Sequence, residues 1–442
     1  MRHRRAAVSL CLLALAAPAL AQNGDGGDLL AAIDRAAAAA TPQAVEHRHQ
    51  IHQNPELGYQ ETETAKLVAE HLRGLGLEVT TGVAHTGVVG ILRGGRPGPV
   101  VAVRADMDAL PVAEQTDLPF RSTKRGTWAG AEVPIAHACG HDVHTSVGLG
   151  VASALAAVRD RLPGTVKFLF QPAEEGPPPG EMTGALRMLR EGALADPKPD
   201  AIFALHSFPD LADGVPGQPS VGQVGWTSGP TYAAVDHFLI TVRGKQSHGA
   251  YPHLGIDPIV MAAQAVTAFQ TIRSRTLPAL EPSVVTVGII RGGERFNIIP
   301  GEVHLEGTVR TYKEGVRADV ERRMREILDG VARAFGGSYE LDYRQNAPAT
   351  VNDPELAAWA RPVLARAVGE GNVIASPPTM GGEDFAYFAN EVPGFYFRLG
   401  TLAAGTASGG LHTPDFRADD AAVPVGIKAM ARLVAEYLTR AR

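Results

Sequence analysis

The stretch HACGHDVHT, residues 137–145, places three histidines, one cysteine and one aspartate within nine positions. Thiolate and imidazole groups this close together are the usual ligands of zinc and related transition metals. A polar loop with a buried, inert thiol is the alternative interpretation, and the stretch alone does not decide between the two. A metal site would need further ligands from elsewhere in the chain.

Acidic and histidine side chains also follow three separate β-rich runs, GPVVAVRAD (98–106), GTVKFLFQPAEEG (164–176) and DAIFALH (200–206). Helical patterns lie between these runs, and strand alternating with helix indicates an α/β fold with a mostly parallel sheet and helices on both faces. In such sheets, sites form at the carboxyl ends of the strands. The side chains expected at that edge are Asp106, Asp108, Glu174, Glu175 and His206.

A hydrolytic metal site needs ligands, an open position for water and a base that takes the water's proton. The paired glutamates suit a division of these tasks, with one binding metal and its neighbour holding the water. A solvated acidic turn remains the alternative for the pair, and a core histidine remains the alternative for His206. The candidate ligands are Cys139, His141, one glutamate of the pair, His206, and His412 in the Gly-rich stretch GGLHTPDF.

Seven motifs then occur in an order typical of one known family: RADMDALP, HACGHDVHT, FQPAEEG, ALH, SHGAYPHLGIDP, FNIIPGEVHLEGTVRT and MGGEDFAYF. With this set the chain resembles the metal-dependent aminoacylases and hippurate hydrolases of the dinuclear zinc-peptidase superfamily. It is also similar to the plant indole-acetyl-amino-acid amidohydrolases. The resemblance begins near RHQIHQNPELGYQETET and covers almost all of the remaining chain. It implies a two-domain, often dimeric enzyme with two divalent metal ions per chain.

The resemblance also assigns roles to individual residues. It implies that Cys139, His141, Glu175, His206 and His412 bind metal, that Cys139 bridges the two ions as a thiolate, and that Glu174 is the general base. Asp106-Met107-Asp108 stands where the wider superfamily has His-x-Asp, which leaves Asp108 to orient a ligand. Zinc or manganese is expected, and the mixed soft and hard ligands also admit cobalt or nickel.

From about Gly229 the pattern changes to β-α-β-β-α-β, which is typical of a ferredoxin-like motif. We expect an inserted lid or dimerisation domain at 229–345, and a catalytic domain made of 22–228 and 346–442. In the insert, the resemblance implies that His248 stabilises the oxyanion, often across a dimer, and that Asn297 and Arg310 lie near polar groups of the substrate. The planar fork of Arg310 suits a carboxylate, although a surface arginine is the alternative.

The stretch MRHRRAAVSLCLLALAAPALAQ has a basic start, a short apolar run and Ala19-Leu20-Ala21, a pattern typical of a cleaved export signal. We therefore expect a signal peptide at 1–21 and a periplasmic or secreted enzyme whose one remaining cysteine is Cys139. The apolar run is short for a membrane span, and no later segment is long and apolar enough. The net charge of −6 without basic blocks argues against nucleic acid as a partner.

The primary hypothesis is a metal-dependent hydrolase that cleaves the amide bond of N-acyl amino acids and acts as a homodimer. A carboxypeptidase or dipeptidase that uses the same groups on short peptides is the alternative. A cysteine hydrolase with Cys139 as nucleophile and a binding protein without turnover are further hypotheses. The stretch 122–136 precedes HACGHDVHT, residues 137–145, which we call the metal loop. It is unusually long for the family, so we expect it to alter the substrate pocket.

Overall fold

The computed structural model describes residues 23–209, 218–403 and 406–440. The expected signal peptide at 1–21 lies outside the described residues, so it stays a prediction. Within the described part of the chain, no helix is both long and apolar enough to cross a membrane.

Helices and strands alternate through the first part of the chain, as the sequence pattern predicts. The helices are α1 (Asn23–Gln53), α2 (Thr62–Gly74), α3 (His141–Ala156), α4 (Gly184–Arg190), α5 (Pro258–Thr271), α6 (Glu314–Phe335), α7 (Pro354–Val368), α8 (Ala386–Ala389) and α9 (Ala422–Thr439). The strands are β1 (Glu78–Val83), β2 (Gly87–Arg93), β3 (Arg96–Asp106), β4 (Arg125–Trp128), β5 (Ala131–Pro134), β6 (Pro163–Gln171), β7 (Ala201–Phe208), β8 (Val224–Trp226), β9 (Gly229–Tyr232), β10 (Ala234–Arg243), β11 (Ser247–His248), β12 (Ser283–Arg291), β13 (Ile298–Ile299), β14 (Glu302–Thr311), β15 (Ser338–Ala347), β16 (Thr350–Asn352), β17 (Val373–Ala375) and β18 (Gly394–Gly400).

The main sheet has the strand order β1-β2-β6-β3-β7-β18-β8-β17. Its four central strands β6, β3, β7 and β18 are parallel to one another. On one side β2 pairs antiparallel with β6, and on the other side β8 pairs antiparallel with β18. Three of them, β3, β6 and β7, correspond to the three β-rich runs that the sequence predicts as strands. Their carboxyl ends therefore lie at one edge of the sheet, where sites form in α/β proteins.

Helices cover both faces of this sheet, which confirms the predicted α/β class. On one face, apolar residues of α1, α3, α7 and α9 form the largest buried cluster, to which the sheet contributes Val101, Val103, Phe203 and Phe397. On the other face, Met188 of α4, Phe388 of α8 and Phe385, which precedes α8, contribute to a second cluster. Burial on both faces explains why the central strands are continuous apolar runs rather than alternating ones.

A second sheet of order β12-β14-β10-β15 is antiparallel throughout. With α5 and α6 it has the predicted β-α-β-β-α-β order, and its apolar residues form a separate buried cluster. Burial alternates along β10, as expected for a sheet with helices on one face. The chain enters this region after β9 and leaves it before β16, and these two strands pair with each other. The domain bounds and the lid role stay predictions.

Candidate active site

Several side chains of the candidate site lie at the carboxyl edge of the main sheet, because they end or follow a central strand or begin the adjacent helix. Asp106 is the last residue of β3, Glu174 and Glu175 follow β6, and His206 lies near the end of β7. His141 is the first residue of α3. The sheet thus brings together side chains that are far apart in the chain.

Gly140 makes the turn between Cys139 and His141 possible. Its φ angle is 85°, a left-handed conformation that favours glycine. A Cβ atom there would lie 2.0 Å from Ser207 Oγ. Ser207 Oγ in turn donates a hydrogen bond to the Cys139 carbonyl at 2.8 Å. The glycine therefore allows the metal loop to pack directly against the end of β7.

Cys139 and His206 face each other in this contact. Cys139 Sγ lies 3.5 Å from His206 Nε2, and both side chains are buried. His206 Nδ1 lies 2.6 Å from the Ser207 carbonyl oxygen, which can only accept, so the ring proton is on Nδ1. The lone pair of Nε2 therefore points towards the thiol, which is the orientation that a metal ligand needs.

Asp108 orients two of the candidate ligands. Its Oδ1 lies 3.2 Å from His141 Nδ1, and its Oδ2 accepts a hydrogen bond from the backbone N–H of Glu175 at 2.9 Å. His141 Nε2 is left buried without a hydrogen-bond partner, 3.8 Å from carboxylate oxygens of both Glu174 and Glu175. A buried imidazole nitrogen without a partner is unfavourable, and a cation between it and the carboxylates would satisfy it.

His412 reaches the same cluster from the returning part of the chain. Its Nε2 lies 3.1 Å from Glu175 Oε1. Its backbone N–H donates to the Ala138 carbonyl at 2.7 Å, and its φ angle of 67° is unusual for a residue with a side chain. Backbone strain of this kind persists where surrounding contacts enforce it, and it is common at functional sites.

The electrostatics of the cluster favour bound cations. Burial, together with repulsion from Glu383 and Glu175, holds the pKa of Glu174 well above its ordinary value. Burial and the neighbouring Glu175 and Glu174 carboxylates likewise raise the pKa of the Cys139 thiol. Two sets of ligand atoms share Cys139, one with His141 and His206 and one with Glu175 and His412, and each set lies within 4.8 Å. Thiolate, imidazole and carboxylate donors together fit divalent transition metals.

His144 belongs to the same sequence motif but is not available as a ligand. Its Nδ1 lies 2.6 Å from Asp106 Oδ1, and its Nε2 accepts a hydrogen bond from the Ser207 backbone N–H at 2.6 Å. Both ring nitrogens are therefore occupied. His144 joins β3 to β7 beneath the site.

A buried charge network next to the cluster was not predicted residue by residue. Arg104 Nη1 lies 2.5 Å from Asp106 Oδ2, and its Nη2 lies 2.8 Å from Glu383 Oε1 and 3.2 Å from Asp384 Oδ1. These residues occur in the motifs RADMDALP and MGGEDFAYF, which provide the only sequence signal for them. The network neutralises Asp106 and holds the Glu383–Asp384 turn against the main sheet.

A cavity of about 720 Å³ opens above the cluster. Cys139, Glu174, Glu175, His206 and His412 line one side of it. Arg310, from β14 of the second sheet, lines the other side, and its Nε donates to Thr308 Oγ1 at 3.1 Å. The structure thus brings the predicted carboxylate anchor into the same cavity as the candidate ligands.

His248 and Asn297 are not among the described residues that line this cavity. They adjoin one another in the β11–β13 ribbon, where His248 is exposed and its Nδ1 accepts from the Ala250 N–H at 3.0 Å. Within one chain the expectation that they contact the substrate is therefore not met. Their predicted roles need a second copy of the chain, and they stay predictions.

The stretch 122–136 forms a hairpin of β4 and β5 rather than a wall of the cavity. Trp128, Val133 and Ile135 pack against Leu57 and Ala109. The expectation that this stretch alters the substrate pocket is therefore wrong for the cavity above the ligands, because apolar contacts turn the hairpin towards the start of α2.

Comparison with known proteins agrees with this geometry. Residues 102–436 match the model of peptidase family M20/M25/M40. The chain is 37% identical to an N-acetyl-L-cysteine deacetylase of Bacillus subtilis, over 86% of this chain and 85% of the relative. It is 38% identical to thermostable carboxypeptidase 2 of Saccharolobus solfataricus, over 81% of this chain and 85% of the relative.

A solved Bacillus subtilis structure, described as a dinuclear metal-binding peptidase from the M20 family, superposes with a TM-score of 0.75 at 33% identity. The match covers 91% of this chain and 99% of that one. The family resemblance and the fold class predicted from the sequence are thereby confirmed. The chain belongs to the peptidase family M20/M25/M40 and is a metal-binding hydrolase of amide bonds.

Proposed function

We propose that the protein hydrolyses the amide bond of N-acyl amino acids with the help of two divalent metal ions. The observation that carries this proposal is that four candidate ligands, the carboxylate of Glu174 and the guanidinium of Arg310 line one cavity, with the fifth candidate ligand, His141, buried beside Cys139. The deacetylase relative, named for an N-acylated amino acid, supports the same substrate class. The carboxypeptidase relative keeps peptide hydrolysis as the alternative.

Five side chains would hold the ions: Cys139, His141, Glu175, His206 and His412. Cys139 belongs to both ligand sets, so its thiolate is the candidate bridge. Bound divalent ions would polarise the scissile carbonyl and lower the pKa of a coordinated water. Zinc and manganese are the metals that we propose first, because both accept a mixture of carboxylate and imidazole ligands.

Glu174 is the proposed general base. Its side chain is about as exposed as that of Glu175, but it has neither the His412 contact nor the backbone hydrogen bond that fixes Glu175. The free carboxylate can take a proton from the attacking water and later give it to the leaving amine. Asp108 would keep His141 and Glu175 in place during both steps.

Arg310 is proposed to bind the free α-carboxylate of the amino acid. Burial lowers the pKa of Arg310, with Asp236 opposing that effect, and arginine remains charged under all working conditions. His248 is proposed to donate to the oxyanion from a second copy of the chain, since it does not reach the cavity of its own. We also propose export, with a mature chain beginning near Gln22.

A cysteine hydrolase is not favoured by the surroundings of Cys139. Nucleophilic cysteines have a lowered pKa, whereas burial and two carboxylates raise the pKa of this thiol. The thiol is therefore suited to bind a cation rather than to attack a carbonyl in a metal-free site.

The test compares N-acetyl amino acids with dipeptides on chelated protein, before and after addition of zinc or manganese. Metal-restored hydrolysis of the N-acetyl substrates, with a higher kcat/KM than for matched dipeptides, is expected. Glu174→Gln should lose roughly two to four orders of magnitude of rate with metal retained. Activity that survives chelation would refute the metal-dependent proposal, and faster hydrolysis of dipeptides would establish the alternative.

A further inference from the structure

Arg398 is a buried arginine without an acidic partner among residues 23–209, 218–403 and 406–440. It lies on β18 opposite His206 of β7 and is 2% exposed. Its Nε and Nη2 atoms are buried without a hydrogen-bond partner. A guanidinium removed from water is unfavourable unless an anion or other acceptors replace that water.

The other buried arginines of the described chain differ in this respect. Arg48 contacts Asp142, Arg104 contacts three carboxylates, and Arg317 contacts Asp236. Within the described residues, the fold thus pairs each of the other three buried guanidinium groups with at least one carboxylate. The unpaired guanidinium of Arg398 is the exception, and it lies beside His206, a candidate metal ligand. A metal ion bound by His206 would be a second positive charge close to this guanidinium, so a bound anion would stabilise the region further.

Two aromatic rings cover the guanidinium. Arg398 Cζ lies 4.6 Å from the ring centroid of Phe208 and 5.9 Å from that of Tyr232. Cation–π contacts stabilise the charge, but they leave the in-plane N–H donors of the guanidinium without acceptors. Phe208 and Tyr232 themselves line the cavity above the candidate ligands. Arg398 therefore lies directly behind one wall of that cavity.

Tyr232 adds a second buried polar group. The residue is 4% exposed, and its hydroxyl makes no well-aligned hydrogen bond to the described residues, although it lies close enough to Arg398 for the guanidinium to oppose the rise that burial causes in the pKa of the phenol. Its ring lies 6.2 Å from the His206 ring and is edge-on to Tyr396 at 5.5 Å, so packing fixes its position. A phenol donor and a guanidinium fork thus occur together at the edge of the candidate metal cluster.

We propose that Arg398 and Tyr232 form a carboxylate subsite, and that the preferred substrates carry a second carboxylate besides the α-carboxylate expected at Arg310. This inference rests on the proposed function. The guanidinium fork and the phenol O–H can donate several hydrogen bonds to one carboxylate. Because Phe208 and Tyr232 cover Arg398, the carboxylate reaches it when one of these rings rotates, a change that is common on binding. The second carboxylate belongs to the amino-acid side chain or to the acyl group.

The experiment compares two matched substrate pairs on metal-loaded protein. N-acetylglutamate and N-acetylglutamine place the extra acid or amide in the amino acid, whereas N-succinylmethionine and N-succinamoylmethionine place it in the acyl group. The variants are Arg398→Met, Arg398→Lys, and Tyr232→Phe, which removes one hydroxyl. Tyr339→Phe, whose hydroxyl contacts Asp329 on the surface of the second sheet region, is the matched control. Both kcat and KM are measured for each combination.

The wild type should prefer the acid in one of the pairs by at least about tenfold in kcat/KM, because the amide leaves the buried donors poorly paired. Arg398→Met and Tyr232→Phe should reduce this preference mainly by raising the KM of the acid, and Tyr339→Phe should keep it. Arg398→Lys should restore part of the preference, since it keeps the charge without the fork. The pair that shows the effect identifies the source of the carboxylate.

The subsite is refuted if the wild type hydrolyses acid and amide alike in both pairs, or if Arg398→Met and Tyr232→Phe keep the preference. A wild type that hydrolyses none of the four compounds contradicts the proposed function instead. In that case calorimetric binding of N-acetylglutamate and N-acetylglutamine decides the inference. Tighter binding of the acid that disappears in Arg398→Met supports the subsite, and equal binding of the two compounds refutes it.

Discussion

Arg48 Nε lies 3.1 Å from Asp142 Oδ2, and both side chains are 1% exposed. Through this ion pair α1 holds the first turn of α3, which begins at His141. The same guanidinium donates to the Ala418 carbonyl at 2.6 Å and contacts Asp420. One cation therefore fixes both the metal loop and the segment that follows His412.

Arg48→Met should destabilise the fold, because it leaves Asp142 buried with only part of its compensation. Breaking a buried ion pair typically costs about 3–5 kcal/mol. Arg93→Met is the matched control, since its pair with Glu78 is more than half exposed and should contribute about 0–1 kcal/mol. Thermal unfolding of both variants checks the difference. Equal losses of Tm would contradict a structural role for the Arg48 pair.

His52 should make stability depend on pH above neutrality. Burial lowers its pKa, but Asp142 at 3.0 Å and Glu114 at 3.2 Å outweigh burial and raise the pKa to about 9. Because the folded pKa exceeds the ordinary value, the charged ring stabilises the fold fully below about pH 6.5. This contribution, at most about 3 kcal/mol, is lost as the pH rises through 9.

His52→Gln tests this effect, because glutamine keeps a hydrogen-bond donor but does not titrate. The Tm of the wild type should fall more steeply than that of the variant between pH 6.5 and 10. Parallel curves over this interval would show that the ring is not charged in the folded protein.

Substitution of Glu174 and of Glu175 should have different effects on metal binding and turnover. Glu175→Gln should lose bound metal, because Glu175 contacts His412 and lies near His141. Glu174→Gln should keep metal and lose turnover. Elemental analysis of dialysed protein, together with initial rates, separates the two outcomes. Equal metal loss in both variants would overturn the assignment of Glu174 as base.

Removal of metal should increase the rate at which the Cys139 thiol is alkylated. If Cys139 is a metal ligand, iodoacetamide should label its thiolate slowly in the metal-loaded protein, and chelation should accelerate labelling. Mass spectrometry of timed samples measures both rates. Equal labelling rates with and without metal would contradict the ligand role and support the alternative of an inert buried thiol.

His248 should act on the cavity of a second copy. If it does, mixing inactive His248→Ala with inactive Glu174→Gln protein under exchange conditions should restore up to about a quarter of the wild-type activity, as random pairing in a C2 dimer gives. The mixed dimer has one site with an intact Glu174 and an intact His248 from the other chain. A mixture that stays inactive, despite subunit exchange seen by mass, would contradict this arrangement.

The sequence predicts the position of a site residue well when that residue directly follows a recognisable strand. Glu174, Glu175 and His206 lie at the ends of β6 and β7, because the apolar runs fix where these strands end. Cys139 and His141 lie at the start of α3, and the roles of all five residues stay predictions. Arg48 gave no such signal. Its partners lie 94 and 372 residues away, and only packing of α1 against α3 and α9 brings them together.

The hairpin at 122–136 shows a different limit. Its length suggested a part of the substrate pocket, but the direction of the hairpin depends on the packing of Trp128 and Ile135 against Leu57 and Ala109. Side-chain contacts of this kind have no periodicity in the sequence. The sequence also does not indicate that Arg398 lacks an acidic partner, because FYFRLG is typical of an ordinary buried strand.

The position of β18 between β7 and β8 has a consequence for how the protein is made. β18 begins at Gly394, and His412 follows it, so the sheet and the candidate ligand set stay incomplete until synthesis has passed residue 412. Until then β7 pairs with β3 but lacks its other neighbour, β18, and the chain holds an incomplete set of the candidate metal ligands. The proposed set of metal ligands would therefore be complete only after β18 and His412 have been synthesised and have joined the main sheet.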